Sequence, residues 1–211
     1  MLKSKAINLK IIWSFIVQRL LKLVSLAVLL SFLAACKPAG SPIKLVATDI
    51  TGADFGQTFN LTDHTGKPRT MADFSGKAVA LFFGYTHCPD VCPTTMTDLK
   101  QVMKLLGTRA DEVQVLFVTL DPARDSQEVL AQFVPSFDKR FIGLRGSEQE
   151  TAATAAIFKI YAKKVEAQGK GGYVIDHSAG MYVFDKAGKI RLYVDYGEKP
   201  ADIANDIKQI L

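Results

Sequence analysis

The chain has 211 residues, with 26 Lys and Arg against 21 Asp and Glu and a formal net charge of +5. Five of the basic residues and none of the acidic ones lie in residues 1–35, which leaves 26 − 5 = 21 basic and 21 acidic residues for the rest. This balance argues against a nucleic-acid-binding surface. The remaining length is enough for one domain with a good core, and no internal repeat or low-complexity segment occurs.

The N-terminal segment, residues 1–35, is predicted to be a targeting signal. Its only charges are positive, and Leu23–Leu33 is largely apolar, as in a secretory signal. The sequence Leu33-Ala34-Ala35-Cys36 resembles a bacterial lipobox, in which Cys36 is acylated and becomes the mature N-terminus. An uncleaved membrane anchor is the alternative, because Ile11–Val17 lengthens the apolar region. Both interpretations predict a tethered domain outside the cytoplasm.

Short strands are predicted after a linker over residues 36–48. The domain is expected to run from residue 49 to residue 211. Phe59–Leu61 alternates apolar and polar residues, and Asp63–Gly66 is typical of a turn before a second short strand. Met71–Phe74 is predicted to be a short helical turn.

The chain is organised around the stretch from Val79 to Pro93. It begins with Val79–Phe83, an apolar run that predicts a fully buried strand. Cys88 and Cys92 follow, each directly before a proline, and Pro93–Leu106 carries apolar residues at helical spacing. Two thiols are therefore predicted where a central strand passes into a helix.

This position of Cys88 and Cys92 favours thiol chemistry. A helix N-terminus carries partial positive charge, which favours the thiolate over the thiol. Residues i and i+4 of a helix lie on one face, so the two sulfurs are expected to lie close together. The pair would close as a disulfide or hold one soft metal ion. The alternative is that both cysteines pack in the core as small apolar residues.

Strands alternate with helices after this region, and an antiparallel hairpin and a helix complete the chain. Ser126 and Ser147 are predicted to cap two of the helices. This order predicts an α/β fold, a thioredoxin-like three-layer α/β/α sandwich with a mixed sheet. The predicted elements are strand Val113–Leu120, helix Ser126–Phe133, strand Arg140–Leu144, helix Ser147–Tyr161, loop Lys163–Gly172, strands Gly180–Asp185 and Ile190–Val194, and helix Ala201–Leu211.

Three histidines are candidates for a third ligand beside the thiols. His64 lies in the predicted turn and is expected to be solvated. His87 directly precedes Cys88 and is expected to tune the thiol or to cover the site. His177 lies in Asp176-His177-Ser178, and in a thioredoxin-like sheet that loop packs against the cysteine loop. His177 is therefore the expected third ligand, with an ordinary polar contact as the alternative.

These motifs together resemble those of the SCO/SenC family. The resemblance rests on the cysteine motif Phe83–Pro93, on Asp121-Pro-Ala-Arg-Asp125, and on Asp176-His177-Ser178 before a strand. It covers nearly all of the domain, from about Asp49 to the end. It implies a thioredoxin fold that binds one copper ion and serves the maturation of cytochrome c oxidase.

The resemblance also implies roles for single residues and a partner. Cys88, Cys92 and His177 would bind one copper ion, as Cu(I) or Cu(II), with Asp121 near the site. Two thiolates and one imidazole suit Cu(I), and Asp176 is expected to orient His177. The implied partner is subunit II of cytochrome c oxidase, through its CuA site, or another copper-accepting periplasmic protein. The implied location is the cell membrane, with the domain facing the periplasm.

Other functions would use the same cysteines. A thiol–disulfide oxidoreductase would keep a partner's cysteines reduced, and a thiol peroxidase is disfavoured by His177.

Thioredoxin oxidoreductases place a cis-proline before the strand that faces their thiols, whereas no proline occurs here between Pro135 and Pro200. Their cysteines are typically separated by two residues, and three separate them here. Zinc is disfavoured because no fourth protein ligand is evident. We therefore expect a metallochaperone and no enzyme, with thiol–disulfide reduction as the alternative.

Overall fold

The computed structural model describes Trp13 and residues 18–22, 44–167 and 172–211. The chain forms two compact units, Met1–Pro42 and Ile43–Leu211. In the first unit, Trp13 and residues 18–22 are helical. The predicted lipobox residue, Cys36, lies outside the described residues. Among the described residues, no helix has both the length and the apolar character needed to cross a membrane.

The second unit is built on a mixed sheet of eight strands. Their order across the sheet is β1-β10-β9-β4-β5-β6-β2-β3, in which β4, β5 and β6 are parallel and the other pairs antiparallel. Two more strands, β7 and β8, form a separate antiparallel hairpin. The strands are β1 Thr48–Asp49, β2 Leu61–Asp63, β3 Pro68–Arg69, β4 Ala78–Gly84, β5 Val113–Thr119, β6 Ile142–Arg145, β7 Ala162–Glu166, β8 Tyr173–His177, β9 Met181–Phe184 and β10 Ile190–Val194.

Helices flank this sheet, which confirms the predicted thioredoxin-like α/β fold. The predicted serine caps are present: the Ser126 hydroxyl accepts from the Val129 amide, and the Ser147 hydroxyl accepts from the Glu150 amide. The predicted helical turn at Met71–Phe74 is a short 3-10 helix. The α-helices of this unit are α1 Val91–Leu106, α2 Gln127–Phe137, α3 Glu148–Ile157 and α4 Pro200–Ile210.

The core lies on both faces of β4 and β5. Every residue of these two strands is buried, as expected for parallel strands covered by other elements on each side. Successive side chains point to opposite faces. Phe82 lies 6.1 Å from Phe117 of β5 on one face, and Phe83 lies 5.3 Å from Phe158 on the other, measured between ring centroids. The two buried strands were therefore predicted correctly.

The start of α1 differs from the prediction. The helix begins at Val91, two residues before Pro93, and Asp90 is its N-terminal cap residue. Pro93 is accommodated because the first turn of a helix leaves its amide groups without intrahelical partners. Cys92 is therefore the second residue of the helix, whereas Cys88 lies in the preceding loop.

Two other helix ends also differ. Helix α2 continues through Pro135 to Phe137, beyond the predicted end at Phe133. Helix α3 ends at Ile157, before the predicted end at Tyr161. Lys159, with a backbone φ of 54°, follows the end of α3 and turns the chain away from the helical direction.

The predicted loop Lys163–Gly172 is wrong over its first half. Strand β7 pairs with β8 from Ala162 opposite His177 to Glu166 opposite Tyr173. Its polar sequence concealed the strand because nearly all of β7 is exposed, so no buried face imposes an apolar pattern. His177 consequently ends a strand and does not lie in a loop. Residues 168–171 lie outside the described residues.

Asp206 of α4 fixes the chain segment that enters β1, at the end of the predicted linker. Its fully buried carboxylate accepts hydrogen bonds from the amides of Val46 and Ala47, both at 2.8 Å. We expect Asp206→Ala to lower the free energy of unfolding by about 2–3 kcal/mol, because both amides lose their partner. Urea denaturation measures the change. Asp206→Asn, which keeps one acceptor oxygen, should lose less, and equal losses for the two variants would contradict the account.

Candidate metal centre

The three predicted ligands come together beside the C-terminal end of β4. The ligand atoms of Cys88, Cys92 and His177 all lie within 4.8 Å of one another. The Cys92 Sγ and His177 Nε2 atoms are 3.7 Å apart. Two ligand atoms that each lie about 2.0–2.3 Å from one ion are separated by at most about 4.6 Å. A small decrease in the distances between the three ligand atoms would therefore allow them to bind one metal ion. Within the described part of the chain, this is the only such group of three or more metal-ligating side chains.

The two cysteines reach the site by different means. Cys92 is fully buried in the first turn of α1, and Cys88 is half-buried in the loop before it. The expectation that both lie on one helical face is therefore wrong. A turn in which the Cys88 amide donates to the Tyr85 carbonyl at 3.3 Å brings Cys88 back toward the helix. The Cys92 amide then donates to Cys88 Sγ at 3.5 Å.

The His177 ring is oriented by its neighbours. It lies edge-on to Tyr85 and Phe82, with ring centroids 5.9 and 6.5 Å away. His177 Nδ1 lies 2.7 Å from the Ser178 carbonyl oxygen. A carbonyl only accepts, so Nδ1 carries the hydrogen and Nε2 keeps its lone pair on the side of Cys92. The group that hydrogen-bonds to Nδ1 is the Ser178 carbonyl and not Asp176, which is exposed and acts on the ring through its charge.

Burial decides the charge state of this site. Burial raises the pKa of the Cys92 thiol, and contact with the Tyr85 backbone opposes this only in part. The predicted preference for thiolate at the helix N-terminus is therefore outweighed at Cys92. Burial also lowers the pKa of His177, against the opposing effect of the hydrogen bond to Ser178. Both groups are neutral at pH 7 until a cation enters.

Asp125 holds the cysteine loop in place, a role that the sequence analysis missed. Its fully buried carboxylate accepts from the Thr86 amide at 3.0 Å and from the hydroxyls of Thr86 and Thr119, each at 2.6 Å. Thr86 begins the cysteine loop and Thr119 ends β5, so the carboxylate ties the loop to the sheet. The signal in the sequence was a threonine at or just after the end of each of the two buried strands.

His87 and Asp121 are the other predicted near-site residues. His87 is 54% exposed, and its Nδ1 lies 3.8 Å from Asp125 Oδ1, so it is at the rim of the site. Asp121 is fully buried and accepts from the Tyr173 hydroxyl at 2.7 Å and from Arg124 Nε. His64 lies in a turn, as predicted, but it is half-buried and accepts from the Gly143 amide at 3.0 Å, so it is only partly solvated.

Gly84 makes room for the Cys92 thiol. A Cβ atom at position 84 would lie 2.7 Å from Cys92 Sγ and 3.0 Å from the Phe82 and Phe117 rings. We expect Gly84→Ala to turn the thiol away from His177 and to weaken metal binding at least tenfold, as measured by competition with a chromogenic chelator. The rings are packed in the core, so the thiol is the group that must move.

Gly143→Ala is the matched control for Gly84→Ala. Gly143 lies in β6, which β5 separates from β4, and a Cβ atom there would lie 3.0 Å from Val134 Cγ2 of α2. This variant should lose stability and keep its metal affinity. Equal affinities of the two variants would contradict the role assigned to Gly84.

Comparisons with known proteins agree with the site. A family model described as SCO1/SenC matches residues 47–211. The mitochondrial SCO2 homolog of Danio rerio is 40% identical over 140 residues, which are 65% of this chain and 49% of that protein. The SCO2-like protein of Rickettsia typhi is 32% identical over 187 residues, 87% of this chain and 91% of that protein. The chain spans about half the length of the mitochondrial SCO2 homologs that it matches.

A solved structure is similar in both fold and sequence. The structure of Bradyrhizobium japonicum ScoI with copper bound is 38% identical, covers 74% of this chain and 99% of its own, and superimposes with a TM-score of 0.68. The fold, the Cys88–Cys92–His177 group and the family match over residues 47–211 all lead to one assignment. This chain belongs to the SCO1/SenC family.

Proposed function

We propose that this protein is a copper chaperone that binds one copper ion through Cys88, Cys92 and His177 and supports metallation of the CuA site of cytochrome c oxidase. The observation that carries the proposal is the grouping of two thiols and one imidazole within 4.8 Å of one another. Soft thiolate ligands select Cu(I), and the imidazole is also a suitable copper ligand. The copper bound to the similar ScoI protein supports this choice of metal.

The number and exposure of the ligands suit a metal ion that is transferred to a partner protein. A structural zinc site normally has four protein ligands, and the group in the described residues has three. Three ligands leave a position that a partner's thiolate can occupy. Cys88 is the half-buried cysteine and Cys92 the fully buried one, so the Cys88 side is where a partner's ligand enters. Copper is then cargo that leaves by ligand exchange, without catalytic turnover.

The N-terminal sequence supports a membrane location for this activity. A lipid on Cys36, or an uncleaved anchor, would hold the domain at the cell membrane with the copper site facing the periplasm. The proposed partner is subunit II of cytochrome c oxidase or another copper-accepting periplasmic protein. The equal numbers of acidic and basic residues after position 35 argue against a nucleic-acid partner.

A thiol–disulfide oxidoreductase is the second candidate, because the two thiols differ in accessibility. The half-buried Cys88 would attack a partner's disulfide, and the buried Cys92 would then displace the partner's thiol. The Cys88–Cys92 pair is oxidised to a disulfide as the partner disulfide is reduced to two thiols. This reaction does not need the imidazole, so His177→Ala should preserve disulfide reduction while it impairs copper binding.

Copper titration of the reduced full chain tests the main proposal. In a Cys36→Ser background, which leaves two cysteines, we expect one tightly bound Cu(I) per chain. Cys88→Ser, Cys92→Ser and His177→Ala should each weaken binding at least a hundredfold, because each removes one ligand, as measured with a competing Cu(I) chelator. His87→Ala is the matched control and should bind as the parent does. Unchanged affinity in His177→Ala, or no tight copper in the parent, would contradict the three-ligand site.

The affinity for Cu(I) should increase with pH. Because burial raises the pKa of Cys92, this thiol is protonated at neutral pH and must lose its proton when copper binds. Each proton released raises the affinity about tenfold per pH unit. Below the lowered pKa of His177, a proton on Nε2 also competes, so the dependence becomes steeper in acid.

Competition titrations at several pH values between 5 and 8 measure this dependence. His177→Ala should remove the extra steepness in acid and keep the slope at neutral pH. An affinity that does not vary with pH would show that Cys92 is already ionised in the metal-free protein.

A further inference from the structure

The β7–β8 hairpin, which carries His177, is not part of the main sheet. In the described part of the chain its two strands pair with each other alone. A cleft of about 380 Å³ separates it from α3, with Ile175 and Ala162 of the hairpin on one side and Thr151 and Ala155 of the helix on the other. Pairing with the main sheet therefore does not fix the position of His177 directly, and contacts between the hairpin and its neighbours contribute to it.

One group of side chains joins this hairpin to the loop after β5. Tyr173 begins β8, and alternation along a strand places it on the same side as His177, four residues later. The Tyr173 hydroxyl donates to Asp121 Oδ1 at 2.7 Å, and its backbone carbonyl accepts from Arg124 Nη1 at 2.9 Å. Arg124 Nε also donates to Asp121 Oδ2. Three residues, two of them between β5 and α2, thus form a closed set of hydrogen bonds.

Arg124 provides a second connection to the ligand. Its guanidinium carbon lies 3.8 Å from the centroid of the Tyr173 ring and 5.7 Å from that of Tyr85. The Tyr85 ring is in turn edge-on to the His177 imidazole. The planar guanidinium can stack on both rings while its nitrogens donate to Asp121 and Tyr173, which a lysine ammonium cannot do.

We infer that Tyr173, Arg124 and Asp121 are positioning residues for His177: they hold the hairpin so that Nε2 faces the two thiols. This inference rests on the proposed function, because it gives the three residues a part in copper binding by His177. None of them belongs to the ligand group. Their effect reaches the imidazole along β8 and through the Tyr85 ring.

Tyr173→Phe tests the inference with the smallest change. It removes the hydroxyl that donates to Asp121 and leaves the ring that stacks on Arg124. We expect the Cu(I) affinity of the full chain to fall about tenfold. In a His177→Ala background the same substitution should have no further effect, because the group that it positions is gone. Arg124→Lys should weaken binding in the same way, and only when His177 is present.

Tyr182→Phe is the matched control. The buried Tyr182 hydroxyl donates to the Phe158 carbonyl at 2.9 Å. Tyr182 pairs with Leu81 of β4, and the side chains of Leu81 and Phe82 lie on opposite faces of the sheet. The control should lower stability and leave Cu(I) affinity unchanged. Unchanged affinity in Tyr173→Phe, or an equal loss in the His177→Ala background, would overturn the inference.

A measurement without copper separates this inference from the proposed function. In the metal-free protein, NMR of the His177 ring should show one Nδ1–H tautomer, which Tyr173→Phe shifts or broadens and Tyr182→Phe does not. An unchanged ring signal in Tyr173→Phe would overturn the positioning role, whatever the copper titrations give. If the parent chain binds no copper, the proposed function fails, and the ring signal still decides the role of Tyr173.

Discussion

The contact between the buried Cys92 and the half-buried His177 determines how the metal centre is built. The two residues are 85 positions apart in the sequence, yet Sγ and Nε2 lie 3.7 Å from each other. Because burial favours the neutral thiol and the neutral imidazole, the pair can be held together without charge until a cation enters. The absence of a side chain at Gly84 gives the thiol its room.

The two halves of the site are held by different forces. The cysteines belong to the core: Cys92 is buried in α1, and the Asp125 carboxylate ties the loop that contains Cys88 to the sheet. The histidine belongs to a hairpin outside the sheet, held by polar contacts. A change in those contacts can alter the position of the imidazole while the cysteines stay in place. This division would suit the proposed copper chaperone, which must bind its copper ion and then release it.

The sequence predicted the parts of the fold that local patterns determine. The central strands were clear because both faces are buried, and the serine caps because their hydrogen bonds are local. The hairpin strand β7 was missed because an exposed strand needs no apolar pattern. The grouping of Cys88, Cys92 and His177 was predicted correctly, since thiol spacing and fold type point to it. The roles of Ser178 and Asp125 were not found, because they depend on contacts that only the folded chain makes.

The pKa of Cys92 also depends on contacts that only the folded chain makes. Its place at a helix N-terminus predicts a lowered pKa, whereas burial raises it. The helix terminus is visible in the sequence. The extent of burial is not, because it depends on which residues the fold brings around Cys92, whose side chain is fully buried. The position of Cys92 in the helix therefore does not predict its pKa, because tertiary packing buries the thiol.

X-ray absorption spectroscopy of the Cu(I)-loaded protein would show whether the two cysteines and His177 bind the metal, since it counts the ligands around the metal by element. We expect two sulfur ligands and one nitrogen ligand, with the nitrogen lost in His177→Ala. Coordination by sulfur alone, or a nitrogen that persists without His177, would contradict it.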